Sequence, residues 1–249
     1  MLSVQSQTQA QPQPQPQLQP TTSGIAADVS VALQSFCAQL RTVTIVPELP
    51  QPAPIESASV QPFIIGTHNG KFHADEAFAC ALQVAMATRP VTLVRTRDAA
   101  QLARCDVIFD VGGVCDPALG RFDHHQRTFS ERFDPATATA RTTPMAAAGL
   151  AFRALGRAFL TEHLPPHTRQ QLDAVVREAY ASCIEGIDAM DNGWRACNGP
   201  PNYFVADHVS AQVGKLNRLW DAKEEDAQSG PSQNERFRVA MLVAIRPLF

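Results

Sequence analysis

The sequence predicts an α/β fold, with a parallel sheet flanked by helices and a disordered N-terminal extension. Short apolar runs alternate with helical patterns between residues 61 and 110, at lengths typical of right-handed crossovers. Residues 5–20 are almost purely Gln and Pro, with too little apolar surface to offset chain entropy. We therefore expect a disordered extension and linker over residues 1–60 and a folded domain over residues 61–249.

The extension carries no recognisable targeting signal. It has no charged start followed by an apolar core, and its first basic residue is Arg41, which argues against an Arg-rich transit peptide. Residues 30–40 are expected to form one or two helical turns, and the prolines between residues 47 and 54 make a linker.

The elements of the domain follow from apolar periodicity and turn signals. Three strands are predicted at residues 63–67, 91–95 and 107–109. The first helix opens with Asp75 and Glu76, which are favourable at the positive end of a helix. Helices are predicted at residues 75–88, 98–103, 145–160, 169–190, 205–219 and 235–248.

Composition narrows the class of protein. The formal net charge of −3 gives no broad basic face, so non-specific duplex binding is not expected. The six cysteines form no CxxC pair, which favours a reducing interior over a disulfide or zinc scaffold. No apolar stretch is long enough to span a bilayer, so we expect an intracellular protein without a membrane partner.

Imidazoles and carboxylates gather where the predicted strands end. Ligands of open parallel sheets bind at the carboxyl ends of the strands. His68 follows the first strand and Asp110 ends the third, which predicts a common rim for these two side chains. Further candidates follow along the chain: His73, Asp75, His124, His125, Asp188 and Asp191. Such a donor set is typical of a divalent metal site and predicts a metal-dependent hydrolase.

So many ligands suggest two metal ions about 3.5–4 Å apart. Asp110 is the best-placed carboxylate to be shared between them. Mixed nitrogen and oxygen ligation favours Mn²⁺, with Mg²⁺ as the other candidate.

Each residue also has a purely structural interpretation. Asp75 could cap its helix, His68 could be a turn histidine, and residues 191–193 could form only a turn. Two adjacent histidines behind an aspartate, downstream of Asp110, have no good explanation in core packing.

The segment Asp123-His124-His125 resembles the signature of the DHH phosphoesterase superfamily. The fuller pattern is similar to the melanocyte-proliferating-gene family, eukaryotic relatives of the DHH enzymes that are regarded as 3′→5′ RNA exonucleases of mitochondria and nucleus. The resemblance covers residues 61 to about 247, and it rests on five segments, namely residues 65–77, 94–98, 110–113, 122–127 and 187–193.

The resemblance implies roles for individual residues. The first metal would be bound by His68, His73 and Asp110. The second would be bound by Asp75, Asp110, His124 and Asp188, with Asp191 as the alternative last ligand. His125 would face the substrate phosphate and protonate the leaving oxygen, so that His125 and Asp110 are the catalytic candidates. The residues expected to contact phosphate or order the site are Arg97, His125, Gln126 and Arg127.

Two features depart from the family pattern. A Ser-Ser-Ala-Gly-like segment of the family is replaced here by Ala146-Ala147-Ala148-Gly149, which removes two hydroxyls. The chain also ends within its last apolar pattern, so we expect the family's C-terminal domain to be missing. The helix surface near Val239, Leu242 and Ile245 would then either pack back on the core or promote self-association.

Three functions remain open at this stage. The leading one is a phosphodiesterase acting on RNA or short oligonucleotides. The second is a small-phosphoester or phosphoanhydride hydrolase similar to a pyrophosphatase. The third is a truncated, non-catalytic metal-binding fragment. No protein partner follows from the sequence.

Overall fold

A six-stranded, mostly parallel sheet forms the centre of the computed structural model, which describes residues 22–51, 60–134, 142–200, 205–217 and 231–249. Its strands are β1 (Thr44–Val46), β2 (Phe63–Thr67), β3 (Val91–Arg95), β4 (Val107–Phe109), β5 (Cys115–Asp116) and β6 (Arg121–Phe122). They lie in the order β1-β3-β2-β4-β6-β5, and only β5 runs antiparallel, to β6. The α/β fold class is therefore confirmed.

Eight helices in the described ranges accompany the sheet. They are α1 (Thr22–Thr42), α2 (Ala74–Ala85), α3 (Ala99–Leu102), α4 (Ala147–His163), α5 (Leu172–Ala179), α6 (Glu185–Asp191), α7 (Val209–Gly214) and α8 (Gln233–Ile245). The core lies between the sheet and α2, α4 and α8, and it includes Phe72, Phe78, Phe152 and Phe237. None of the helices in the described ranges is both long and apolar enough to cross a membrane.

Helix α1 and strand β1 precede residue 61, where the folded domain is predicted to begin. Helix α1 packs Phe36 and Leu40 into the main core, and β1 adds a parallel strand beside β3. The Gln/Pro pattern at residues 5–20, which predicts disorder, falls outside the described residues. The helical turns predicted at residues 30–40 lie within α1, and Phe36 of this helix contacts Phe249, a residue distant in the sequence.

The long helix predicted at residues 169–190 is divided. A 3-10 turn over residues 166–171 precedes α5, and a π-helical turn, Tyr180–Ile184, separates α5 from α6. Strands β5 and β6, which the sequence did not predict, extend the sheet edge beyond β4. Periodicity cannot find strands of two residues, because they contain no complete alternation.

Helix α8 ends in a 3-10 turn over residues 246–248. Ile245 is fully buried and Leu242 packs against the core. This part of the helix surface therefore packs back on the core, which is one of the two arrangements expected for it. Val239 remains about half exposed, at 48%.

Replacing Phe36 with alanine tests whether α1 belongs to the folded domain. Phe36 is 3% exposed and its ring lies 5.8 Å from that of Phe249. We expect Phe36→Ala to lower the free energy of unfolding by about 3 kcal/mol, because it leaves a cavity in the core. Urea denaturation measures the change, and Val31→Ala is the control on the exposed side of α1. Equal unfolding midpoints for all three proteins would contradict the assignment.

Candidate metal centre

Asp110 lies at the centre of the site because the chain turns sharply where β4 ends. Its φ of +59° makes it the one non-glycine residue with a positive φ among the described residues. This left-handed conformation is strained for an aspartate. It directs the two carboxylate oxygens to different imidazoles: Oδ2 lies 3.2 Å from His68 Nε2 and Oδ1 lies 3.1 Å from His124 Nε2. Ion pairs with these rings hold the pKa of Asp110 below its usual range despite burial.

His68 is held by groups on both sides of its ring. Nδ1–H donates to the backbone oxygen of Asn69 at 3.1 Å, and Nε2 lies 3.1 Å from Glu76 Oε1. Burial alone would lower the pKa of His68, but Asp110 and Glu76 raise it to about 10. Because the carbonyl oxygen binds Nδ1–H, Nε2 is the nitrogen left to face a cation.

Glu76 has a second role at the start of α2. Both of its carboxylate oxygens accept from the backbone N–H of His73, at 2.9 and 3.0 Å, which completes a capping box. The His73 ring is more than half exposed and its centroid lies 5.9 Å from that of His68. Nδ1 of His73 approaches Asp191 Oδ1 at 3.8 Å.

His124 faces carboxylates from three elements. Its Nε2 lies 3.1 Å from Asp110 Oδ1, 3.2 Å from Asp191 Oδ2 and 3.9 Å from Asp75 Oδ2. Burial lowers the pKa of His124, and the hydrogen bonds to Asp110 and Asp191 outweigh it and raise the pKa to about 10. The carboxylates around His68 and His124 therefore favour the protonated form of both rings, and each ring would lose a proton on binding a metal ion.

Asp75 is the clearest sign that the site is built for a cation. It is completely buried, and its Oδ1 accepts no hydrogen bond from the described residues. Burial and the charges of Asp110, Asp191 and Glu76 raise its pKa. Its Oδ2 accepts from the backbone N–H of Ala147 at 3.3 Å, which leaves Oδ1 as the oxygen without a hydrogen bond. Such a buried carboxylate oxygen is costly, and a bound divalent ion would relieve both the burial and the repulsion.

Asp188 lies outside this cluster, whereas Asp191 lies inside it. Asp188 Oδ1 accepts from the backbone N–H of Gly149 at 2.9 Å, and Oδ2 accepts from the Tyr180 hydroxyl at 2.9 Å. A Cβ at Gly149 would collide with this carboxylate, so the close approach requires glycine. Burial raises the pKa of Asp188 to about 7, although Gly149 and Tyr180 oppose the shift. The family resemblance implies Asp188 as a ligand of the second metal, but in the structure its oxygens bond to Gly149 and Tyr180, whereas Asp191 Oδ2 lies 3.2 Å from His124 Nε2. The choice of Asp191 as the ligand therefore stays a prediction.

His125 lies at the exposed edge of the cluster, where its Nδ1 is 3.5 Å from Asp110 Oδ1, and Asp123 holds it in place. The His125 ring is 63% exposed, and its Nδ1 lies 2.8 Å from Asp123 Oδ1. The other oxygen of Asp123 accepts from the backbone N–H of Gly113 at 2.6 Å. The first aspartate of the signature therefore orders two loops and orients the second histidine.

The candidates for phosphate contact surround the cluster without joining it. Arg97 donates to the Asn69 backbone oxygen at 2.6 Å and to Asn69 Oδ1 at 3.0 Å, so it orders the loop after β2. Gln126 Nε2 donates to the backbone oxygen of Asp123 at 3.1 Å. Arg127 is exposed.

Three groups of ligand atoms, each within 4.8 Å of one another, could hold an ion in the described part of the chain. Their members are His68, His73, Glu76 and Asp110 in the first, Asp110, His124 and His125 in the second, and His73, Asp75 and Asp191 in the third. Asp110 links the first two groups and His73 links the first and third. The clustered groups can therefore bind metal ions, and their mixed donors fit a divalent ion.

Two residues of the site were not among the predicted ligands. Glu76 lies one helical turn after His73, a spacing that a capping box alone would explain. Arg95 is buried below the cluster, where it donates to the Gly70 backbone oxygen at 2.8 Å and lies over the Phe237 ring at 4.6 Å. Arg95 is the last residue of β3, and the sequence pattern of a strand does not tell whether an arginine at its end is buried or exposed.

Comparison with known proteins places these residues in a family context. Residues 64–249 match the MYG1 exonuclease family, described as "Uncharacterised protein family (UPF0160)". The chain is 38% identical over 180 residues to a MYG1 protein of Caenorhabditis elegans, covering 72% of this chain and 51% of that protein. It is 37% identical over 188 residues to the MYG1 exonuclease of Homo sapiens, covering 73% and 50%. The chain thus spans about half the length of the curated relatives it matches. No solved structure matches it.

Substitutions of the two aspartates at the end of α6 should have different effects. We expect Asp191→Ala to lower Mn²⁺ affinity about tenfold or more, because the side chain faces His124 and Asp75. We expect Asp188→Ala to keep the metal stoichiometry and to lower the free energy of unfolding by about 1–3 kcal/mol, because Gly149 N–H and the Tyr180 hydroxyl lose their acceptor. Calorimetric titration and urea denaturation separate the two effects, and the reverse pattern would restore Asp188 as the ligand.

Proposed function

Because the chain belongs to the MYG1 family, we propose that it is a metal-dependent phosphodiesterase that acts as a 3′→5′ exonuclease on RNA or short oligonucleotides. The naming of relatives as exonucleases supports a nuclease. The main structural support is the position of the Asp110 carboxylate at the end of a parallel strand, where its two oxygens contact different histidines, His68 and His124. By the family resemblance, its compartment would be the mitochondrion, the nucleus or both.

Two divalent ions, Mn²⁺ in preference to Mg²⁺, are the proposed cofactors. When bound, they would polarise phosphate oxygens and lower the pKa of water. His68, His73 and Asp110 would bind one ion, with Glu76 beside them, and the set Asp75, Asp110, His124 and Asp191 would bind the other. The residues fit this role because their nitrogen and oxygen atoms already converge, while Asp75 Oδ1 accepts no hydrogen bond from the described residues.

His125 is suited to proton transfer at the leaving oxygen. Asp123 Oδ1 lies 2.8 Å from Nδ1 of the ring, which orients the ring. Nε2 is then the nitrogen that can donate a proton to substrate. The exposure of the ring leaves it accessible to a phosphodiester that reaches the cluster.

The direct test of the proposal is an assay with Mn²⁺ and RNA labelled at its 5′ end. A 3′→5′ exonuclease produces a ladder of shortening labelled products and releases nucleoside 5′-monophosphates. The same reaction with pyrophosphate as substrate tests the competing phosphoanhydride activity. Hydrolysis of pyrophosphate without any shortening of RNA would overturn the proposal.

Removal of Asp110 should abolish metal binding as well as activity. We expect Asp110→Ala to lose both Mn²⁺ ions, because its two oxygens face both imidazoles. Calorimetry gives the stoichiometry, and Asp173→Ala is a control at an exposed carboxylate on α5. A wild-type stoichiometry in Asp110→Ala would rule out the two-ion arrangement.

The adjacent histidines should separate metal binding from turnover. We expect His124→Ala to lose Mn²⁺, since its Nε2 lies among three carboxylates. His125→Ala should keep Mn²⁺ but lose about 10²–10⁴-fold in kcat, because it removes a proton donor. Calorimetry and single-turnover hydrolysis measure the two effects. If both variants kept metal and activity, the signature would have only a structural role.

A further inference from the structure

A cavity of about 420 Å³ adjoins the metal centre on the side of α6 and α7. It shares His73, Asp75 and Asp191 with the ligand cluster. A molecule with one group at the cluster can therefore extend into the cavity. The volume lies in the range of about 300–1,000 Å³ that is usual for small-molecule sites.

The walls away from the cluster are mainly apolar. Phe72 and Ile187 contribute buried surface, and Met190 lies at the cavity although it is 52% exposed. From α7, the methyl group of Ala211 and the backbone of Gly214 complete this lining. Such walls suit the flat face of a ring system.

His208 and Ser210 add hydrogen-bonding groups to this lining. Nδ1 of His208 accepts from the backbone N–H of Ala211 at 3.2 Å. This bond assigns the proton of the neutral ring to Nε2, which becomes a donor. The Ser210 hydroxyl can both donate and accept.

On the basis of the proposed function, we propose that this cavity binds the base and ribose of the terminal nucleotide whose phosphate lies at the metal centre, and that His208 and Ser210 hydrogen-bond to that nucleoside. The end of the occupant at the metal centre must be anionic to bind the metal ions. The end in the cavity must be mainly apolar, with polar groups that face His208 and Ser210. A nucleoside monophosphate has this form. A polyphosphate does not fit as well, because no Lys or Arg is among the described residues that line the cavity.

Gly214 offers a way to fill the cavity without disturbing the ligands. A Cβ added there meets no atom within 4 Å, and the residue lines the cavity. Gly214→Leu therefore occupies space that the nucleoside would take. Gln212→Leu is the matched control, because Gln212 is exposed on the same helix and does not line the cavity. Ser210→Ala is a second, smaller change in case Gly214→Leu does not fold.

The test is calorimetric titration of each protein with adenosine 5′-monophosphate and with inorganic phosphate in the presence of Mn²⁺. We expect Gly214→Leu to weaken binding of the nucleotide about tenfold and Ser210→Ala to weaken it about threefold, with phosphate affinity unchanged in both. Gln212→Leu should match the wild-type protein for both ligands.

Unchanged nucleotide affinity in Gly214→Leu and Ser210→Ala would overturn the cavity assignment, as would wild-type protein that binds the nucleotide no more tightly than phosphate. In either case, RNA hydrolysis by the wild-type protein and its loss in Asp110→Ala would leave the proposed function standing. Wild-type protein that binds neither Mn²⁺ nor phosphate would overturn both.

Discussion

The constraint on which this structure depends is the confinement of four carboxylates, those of Asp75, Glu76, Asp110 and Asp191, around two buried imidazoles. Like charges at such distances repel strongly where water is excluded. The effect is visible in the raised pKa of Asp75, which burial and three neighbouring carboxylates cause. His68 and His124 offset part of the repulsion, and their own pKa values rise to about 10 for that reason. A divalent ion supplies positive charge in less space than either ring.

The scaffold holds these groups in place with polar contacts that do not bind metal. Asp188 anchors the start of α4, and Asp123 ties the glycine loop after β4 to the His125 ring. Arg95 fixes the loop between β2 and α2 through the backbone oxygen of Gly70. Asn217 completes that attachment by bonding both the backbone N–H and the backbone oxygen of Phe72. Preorganisation of this kind keeps ligand geometry fixed when the ions are exchanged or released.

The ligand cluster and the adjoining cavity differ in chemistry, so they would bind different parts of a substrate. The cluster is charged and buried, so it favours a phosphate together with cations. The cavity is mainly apolar, and its few polar groups come from α7. His73, Asp75 and Asp191 belong to both. This arrangement suits a substrate that presents one phosphodiester and one nucleoside at a time, as a strand end does.

The sequence alone predicted the central strands and the place where the candidate metal ligands cluster. Strands β2, β3 and β4 lie at the predicted residues, because each is a compact apolar run bounded by turn signals. His68, Asp110 and Asp75 come together because the carboxyl ends of neighbouring parallel strands share one edge.

Only the tertiary structure decided the rest. Phe36, Leu40 and strand β1 joined the fold through contacts with distant segments, which a local pattern cannot reveal. The choice between Asp188 and Asp191 depended on the π-helical turn at residues 180–184 and on the packing of α6 against α4, because two aspartates three residues apart lie on similar faces of a helix. In that packing Asp188 bonds to Gly149 and Tyr180, and Asp191 faces His124.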